Sequence, residues 1–109
     1  MATMIKSVRP ILTELRSGLE RLYRERLRGV YLYGSYARAQ AEAESDLDVL
    51  IVLDQVKSYG AEIDRTSELV SLTSLRYGIS VSRVFVSEDA WQKGEGVFLA
   101  NVREESVPA

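Results

Sequence analysis

Asp46 and Asp48 stand two residues apart at the head of the aliphatic run Val49-Leu50-Ile51-Val52-Leu53, and the pair Gly34-Ser35 precedes them with ten residues between Ser35 and Asp46. Side chains alternate along a strand, so the two aspartates share one face, roughly 6–7 Å apart along it. Carboxylates placed in this way repel each other unless a cation lies between them. Mg²⁺ held by one or two carboxylates and by phosphate oxygens is a common solution. Gly34 lets the backbone approach a ligand closely, and Ser35 offers a hydroxyl and an amide to an anion at the start of a helix. A metal-bound nucleoside triphosphate satisfies both halves: its oxygens meet the Gly34-Ser35 turn and its metal meets Asp46 and Asp48. Each half alone is a weak signal, because Asp-x-Asp is more often solvated charge and Gly-Ser is a common turn pair. The conjunction carries the argument.

Composition removes the competing chemistries. The chain has no cysteine and no histidine. Disulfides, thiolate or imidazole metal sites, and Ser-His or Cys-His catalysis are therefore excluded. Any metal held here is a hard, oxygen-liking cation, Mg²⁺ or Mn²⁺. No run of about 18 apolar residues is present, so no membrane span is expected and the protein reads as cytoplasmic. At 109 residues and 46% hydrophobic content the chain makes one domain, residues 1–109. Its net charge of −2 is uneven: seven basic and three acidic residues through Arg28 give +4, and seven basic and thirteen acidic residues after it give −6. Arg24, Arg26 and Arg28 read as cations closing a helix against the negative end of its dipole.

The elements that must position the motif follow from periodicity. Ile5, Val8, Leu12, Leu15, Leu19 and Leu22 recur at steps of three and four, the stripe of a helix ending near Gly29, with Pro10 in its first turn and Ser7 as N-cap. Val30-Tyr31-Leu32-Tyr33 is a strand stopped by Gly34, and Ser35–Gln40 begins a short helix. A second strand, from Asp46 to Leu53, has no polar alternation at its end and is central. Ser58–Tyr77 forms a helix ended by Gly78, with Ile63, Leu69, Val70 and Leu72 on its inner side. The strand Ile79–Val86 puts Ser80, Ser82, Val84 and Val86 on one face. Ser87 caps a short helix around Trp91, and the tail packs back through Phe98, Leu99 and Val102. The expected fold is α/β: a small mixed β-sheet with helices packed on one face, the two from Ile5 and Ser58 lying behind it and Asp46 and Asp48 on the open face.

The segment G-S-Y-A-R-A-Q-A-E-A-E-S-D-L-D resembles the signature of the polymerase-beta-like nucleotidyltransferase superfamily, and in particular its stand-alone minimal members. The resemblance runs from about Val30 to the end and includes a tail like Phe98-Leu99-Ala100-Asn101-Val102-Arg103-Glu104-Glu105. It implies nucleotide contacts by Gly34, Ser35 and Arg38, metal ligation and catalysis by Asp46 and Asp48, and transfer of a nucleoside monophosphate, AMP from ATP, to a hydroxyl. For Arg38 an ion pair with Glu42 or Glu44 stands as an equal alternative. Many relatives carry glycine where this chain has Ala39, which bears on the loop's conformation.

Active relatives add a third carboxylate from a neighbouring strand. Here Ser82 occupies that position, with Ser80 the other candidate on its face, and neither supplies negative charge. Glu88 and Asp89 read better as the first turn of the next helix. By the same resemblance the acceptor is a tyrosine of a small helical HEPN-type partner, with this chain as the antitoxin. The chain lacks the extra helical domain that larger transferases use for nucleic acid or antibiotics, so direct nucleic-acid binding is not expected. A homo-oligomer is compatible with the sequence. The alternative is a nucleotide-binding or partner-binding module of weak or lost catalysis.

Overall fold

A computed structural model of the chain describes residues 2–42 and 44–109, with side chains from residue 8 onward. Helix α1 spans Ala2–Tyr23 and a 3₁₀ turn spans Arg24–Arg26, followed by strands β1 (Leu27–Tyr33) and β2 (Leu47–Leu53). Helix α2 (Tyr59–Tyr77), strand β3 (Val81–Ser87), helices α3 (Glu88–Lys93) and α4 (Val97–Glu105) and a two-residue strand β4 (Val107–Pro108) complete the chain. The sheet order is β3-β2-β1-β4. β1 pairs antiparallel with β2 and β4, whereas β2 and β3 run parallel, with α2 as the crossover that parallel pairing requires.

The sheet is mixed and β2 is central, in keeping with its unbroken aliphatic run. Leu47, Val49, Ile51 and Leu53 face one side and join Val8, Ile11, Leu12, Leu15 and Leu19 of α1 in the main core. Leu50 and Val52 face the other side. There Val102 and Leu99 of α4 and Trp91 of α3 cover them. The two long helices thus lie behind the sheet as expected, and two short helices add a partial second layer on the face expected to be open.

Helix α2 carries the sequence's own start and stop. The Ser58 side chain accepts a hydrogen bond from the Ala61 amide, and Gly78 closes the helix in the left-handed conformation. Its inner face differs from the expected one. Glu62, Thr66 and Thr73 are buried while Leu72 is exposed. Polar residues can serve there because each is satisfied: the Thr66 and Thr73 hydroxyls donate to the carbonyls of Glu62 and Leu69. Glu62 accepts hydrogen bonds from Tyr23 Oη at 2.8 Å, Arg26 Nη2 at 3.0 Å and Arg65 Nε at 3.1 Å.

Helix α1 differs from the expected helix at both ends. It begins at Ala2, so Pro10 lies inside it and Ser7 is within the helix rather than its cap. The hydrogen bond that Pro10 cannot make is offset by burial of Val8, Ile11, Leu12 and Leu15 beside it. The Ile5 side chain lies outside the described residues. The helix ends at Tyr23, which is buried in place of the exposed Leu22, and Arg24, Arg26 and Arg28 lie beyond it. These arginines do not close the helix. Arg26 pairs with Asp54 and Glu62, and Arg28, already in β1, pairs with Glu88. Among the described residues no helix is long and apolar enough to cross a membrane.

The Glu62 cluster gives a testable pH dependence. Burial alone raises the Glu62 pKa, but the hydrogen bonds from Tyr23, Arg26 and Arg65 outweigh it and hold the carboxyl below its ordinary value. A depressed carboxylate contributes stability that is present above the unfolded pKa and lost as pH falls through the folded one. Glu62→Gln should cost about 2 kcal/mol at pH 7, the scale of hydrogen bonds to a charged group. In urea unfolding, the gap between wild type and variant should narrow below pH ~4.3. A gap that widens in acid would contradict this account.

Candidate functional site

β1 ends at Tyr33, opposite Asp48 in the antiparallel register, and Asp48 stands beside Ser82 in the parallel register with β3. These two pairings bring the Gly34 turn, the aspartate pair and Ser82 to one end of the sheet, on the face that carries α4. Gly34 adopts φ +77, and a Cβ placed on it would overlap the Asp48 carboxylate. Glycine is thus required twice here, by backbone conformation and by close approach. Asp46 lies one residue before β2 and is exposed, whereas Asp48 is half-buried at the start of the strand.

The segment after Gly34 is not a helix. Residues 35–39 form hydrogen-bonded turns, in which the Arg38 amide donates to the Gly34 carbonyl at 3.1 Å and the Gln40 amide to the Ser35 carbonyl at 2.8 Å. The reason is Ala39, whose φ of +57 ends the right-handed backbone after one turn. The loop thus holds the left-handed conformation without a glycine, the residue that favours it. No helix dipole contributes at Ser35, but individual amides remain. Among the described residues those of Ser35, Tyr36 and Ala37 have no acceptor. Tyr36, buried in the main core, pins the turn to the sheet.

Arg38 does not pair with Glu42 or Glu44. Its Nη1 donates to Glu105 at 2.8 Å and its Nε to Gln40 at 3.1 Å. The other Glu105 oxygen accepts from the Gly34 amide at 3.3 Å. Glu105, the last residue of α4, is a site residue that the sequence reading did not single out. Nothing in local spacing ties it to a glycine 71 positions earlier. Glu88 and Asp89 are not third acids: Ser87 caps α3, Glu88 pairs with Arg28 and Asp89 with Lys93. Ser80 is exposed and precedes β3, which leaves Ser82 beside Asp48.

The electrostatics of this corner are one-sided. Burial raises the Asp48 pKa first, Asp46 and Glu105 add like-charge repulsion, and Arg38 opposes them. The Tyr33 phenol is pushed up to about 12 by burial and then by Asp48, so it stays neutral. Among the described residues no group of three or more acidic side chains converges as a ready-made metal cage. Asp46 and Asp48 therefore suit a cation that takes only one or two protein carboxylates and fills its remaining positions with phosphate and water oxygens, as Mg²⁺ does.

Comparison with known proteins bears on this geometry. A family model described as polymerase beta, nucleotidyltransferase matches residues 19–93. A protein of Methanocaldococcus jannaschii named as a candidate protein adenylyltransferase is 34% identical over 93 residues, 84% of this chain and 87% of that one. A second protein of that organism with the same kind of name is 32% identical over 74 residues, 68% of this chain and 74% of that one. A crystal structure of a toxin-antitoxin with AMP-PNP has a chain that matches with a TM-score of 0.60 at 18% identity, covering 86% of this chain and 68% of that one.

Two substitutions test the local reading. Ala39→Gly should raise stability by roughly 0.5–1 kcal/mol, the left-handed strain relieved less the entropy glycine costs. A loss of stability would contradict the conformation given to the turn. Asp48→Asn removes a half-buried like charge and should raise the melting temperature of the nucleotide-free protein at pH 7 and low salt. A clear fall would mean that the carboxylate is compensated in the fold.

Proposed function

The chain belongs to the polymerase beta nucleotidyltransferase family, and on that footing we propose that it transfers AMP from Mg²⁺-bound ATP to a tyrosine of a small helical HEPN-type protein. As a nucleotidyltransferase it moves a nucleoside monophosphate. The observation that carries this reading is the register that sets Gly34 directly against Asp48. A turn rich in free amides and a carboxylate pair meet there, as a triphosphate with its cation requires. The names of the M. jannaschii relatives support AMP and a protein acceptor. The toxin-antitoxin structure with AMP-PNP supports an adenine nucleotide and a protein partner.

In this reading Asp46 and Asp48 hold the cation. When bound, it neutralises triphosphate charge and polarises the phosphoryl oxygens. The turn amides of Ser35, Tyr36 and Ala37 and the guanidinium of Arg38 bind the phosphates and orient them. The acceptor oxygen attacks the α-phosphorus in line, its bond to phosphorus forms as the bond to the bridging oxygen breaks, and pyrophosphate leaves. Ser82 cannot accept the acceptor's proton as a carboxylate would. A phenol, with a pKa of about 10, ionises far more readily than a sugar hydroxyl and needs that help least. This favours tyrosine as the acceptor.

The test is transfer of label from [α-³²P]ATP with Mg²⁺ to the co-purified product of the neighbouring gene. Label on a partner tyrosine is expected, and Asp48→Asn should lower the rate more than about a hundredfold, beyond the loss typical of groups that only support a metal ligand. Ser82→Asp should raise the rate by adding a hard anionic oxygen beside Asp48. Wild-type nucleotide binding without transfer to any acceptor or neighbour would overturn the acceptor assignment. A wild type as fast as Ser82→Asp would show that no third acid is needed.

A further inference from the structure

Glu105 occupies two donors of the turn, the Gly34 amide and the Arg38 guanidinium, that a phosphate there would meet beside the free amides of Ser35, Tyr36 and Ala37. One of its oxygens accepts from the Gly34 amide at 3.3 Å and the other from Arg38 Nη1 at 2.8 Å. A carboxylate spanning a backbone amide and a guanidinium imitates a phosphate in charge and in acceptor geometry. The mimic is delivered by a well-anchored segment. Val102 of α4 is buried against Leu50 and Val52, the Ser106 amide donates to the Val102 carbonyl, and Val107 and Pro108 pair with Leu32 and Tyr31 of β1. The Ala109 amide then donates to the Val30 carbonyl, and Arg16 donates to the Ala109 carbonyl. Glu105 is therefore held at the cradle from both sides.

Two anions cannot share these donors, and Glu105 already adds to the negative charge around Asp48. We propose that Glu105 is an internal ligand of the phosphate cradle, and that its carboxylate must leave Gly34 and Arg38 before a triphosphate can seat. The fraction of molecules with the cradle open then scales the apparent nucleotide affinity. Glu105 sets affinity by competition and positions Arg38 in the nucleotide-free protein; it is not a third metal ligand. This inference rests on the nucleotide reading of the site.

Calorimetric titration of the whole chain with MgATP, and separately with inorganic triphosphate without metal, tests it. Glu105→Gln keeps the side-chain shape and removes the charge. It should tighten both ligands by roughly threefold to fivefold, the reach of a partly exposed ion pair. Glu105→Ala should do the same, with circular dichroism melts verifying that both variants are folded. Glu104→Gln, an exposed neighbour on the same helix, makes the same change in net charge and should leave both affinities near wild type. Equal tightening by Glu104→Gln would reduce the effect to general charge and overturn the proposal. Weaker MgATP binding by Glu105→Gln with unchanged triphosphate binding would also overturn it, by making Glu105 a metal ligand. If no variant binds MgATP or triphosphate, the nucleotide reading itself fails.

Discussion

The Asp48 carboxylate is held half-buried where β1, β2 and β3 meet, pressed against a glycine that leaves no room for a side chain, and much of the site follows from that placement. A carboxylate there is raised in pKa by burial and by its acidic neighbours, so the fold carries an electrostatic cost at this point. Compensation comes from Arg38, which is itself shared with Glu105. A fold that places negative charge in such a corner gains from a cation and from the anionic ligand that brings it. Stability given up at a site in this manner is common where function demands it.

The scaffold makes the arrangement precise. β2 is covered on both faces, so its register with β1 and β3 is fixed by packing, and a slip of one residue would send Asp48 into the helical core. Gly34 then falls beside Asp48 because Tyr33 is its partner across the strands. On the same face as Asp48, Tyr31 stacks on Trp91 and Tyr33 meets Phe98 edge-on, which seats α3 and α4 and brings Glu105 to the turn. The polar cluster of Glu62, Tyr23, Arg26 and Arg65 ties α1 to α2 behind the sheet and takes no part in the site.

What was legible in the sequence was local. The run Val49–Leu53 marked the central strand, Ser58 and Gly78 bounded α2, Ser87 capped α3, and the motif Gly34-Ser35 with Asp46 and Asp48 pointed to the corner where the Gly34 turn meets Asp48. What escaped depended on distant partners. Pro10 inside α1, the buried Glu62, Thr66 and Thr73 on the inner face of α2, and the exposed Leu22 and Leu72 are settled by tertiary packing, which periodicity does not contain. β4 is two residues long and includes a proline, so it has no propensity signal and exists because the edge of β1 receives it. Glu105 reads as one more acid in an acidic tail until the chain returns it to a glycine and an arginine from the other end of the domain.

The central claim is that Asp46, Asp48 and the Gly34 turn form one composite site for a cation and a triphosphate. Electron paramagnetic resonance of Mn²⁺ tests it most directly, because the signal of the free ion falls as the ion is bound. Neither the protein alone nor Asp48→Asn with a non-hydrolysable ATP analogue should remove much Mn²⁺ beyond what the analogue takes up by itself. Wild type and analogue together should bind one ion per chain cooperatively, since each ligand supplies what the other lacks. Binding of the analogue that is equally tight with Mn²⁺ and in EDTA, or unchanged by Asp48→Asn, would contradict the account.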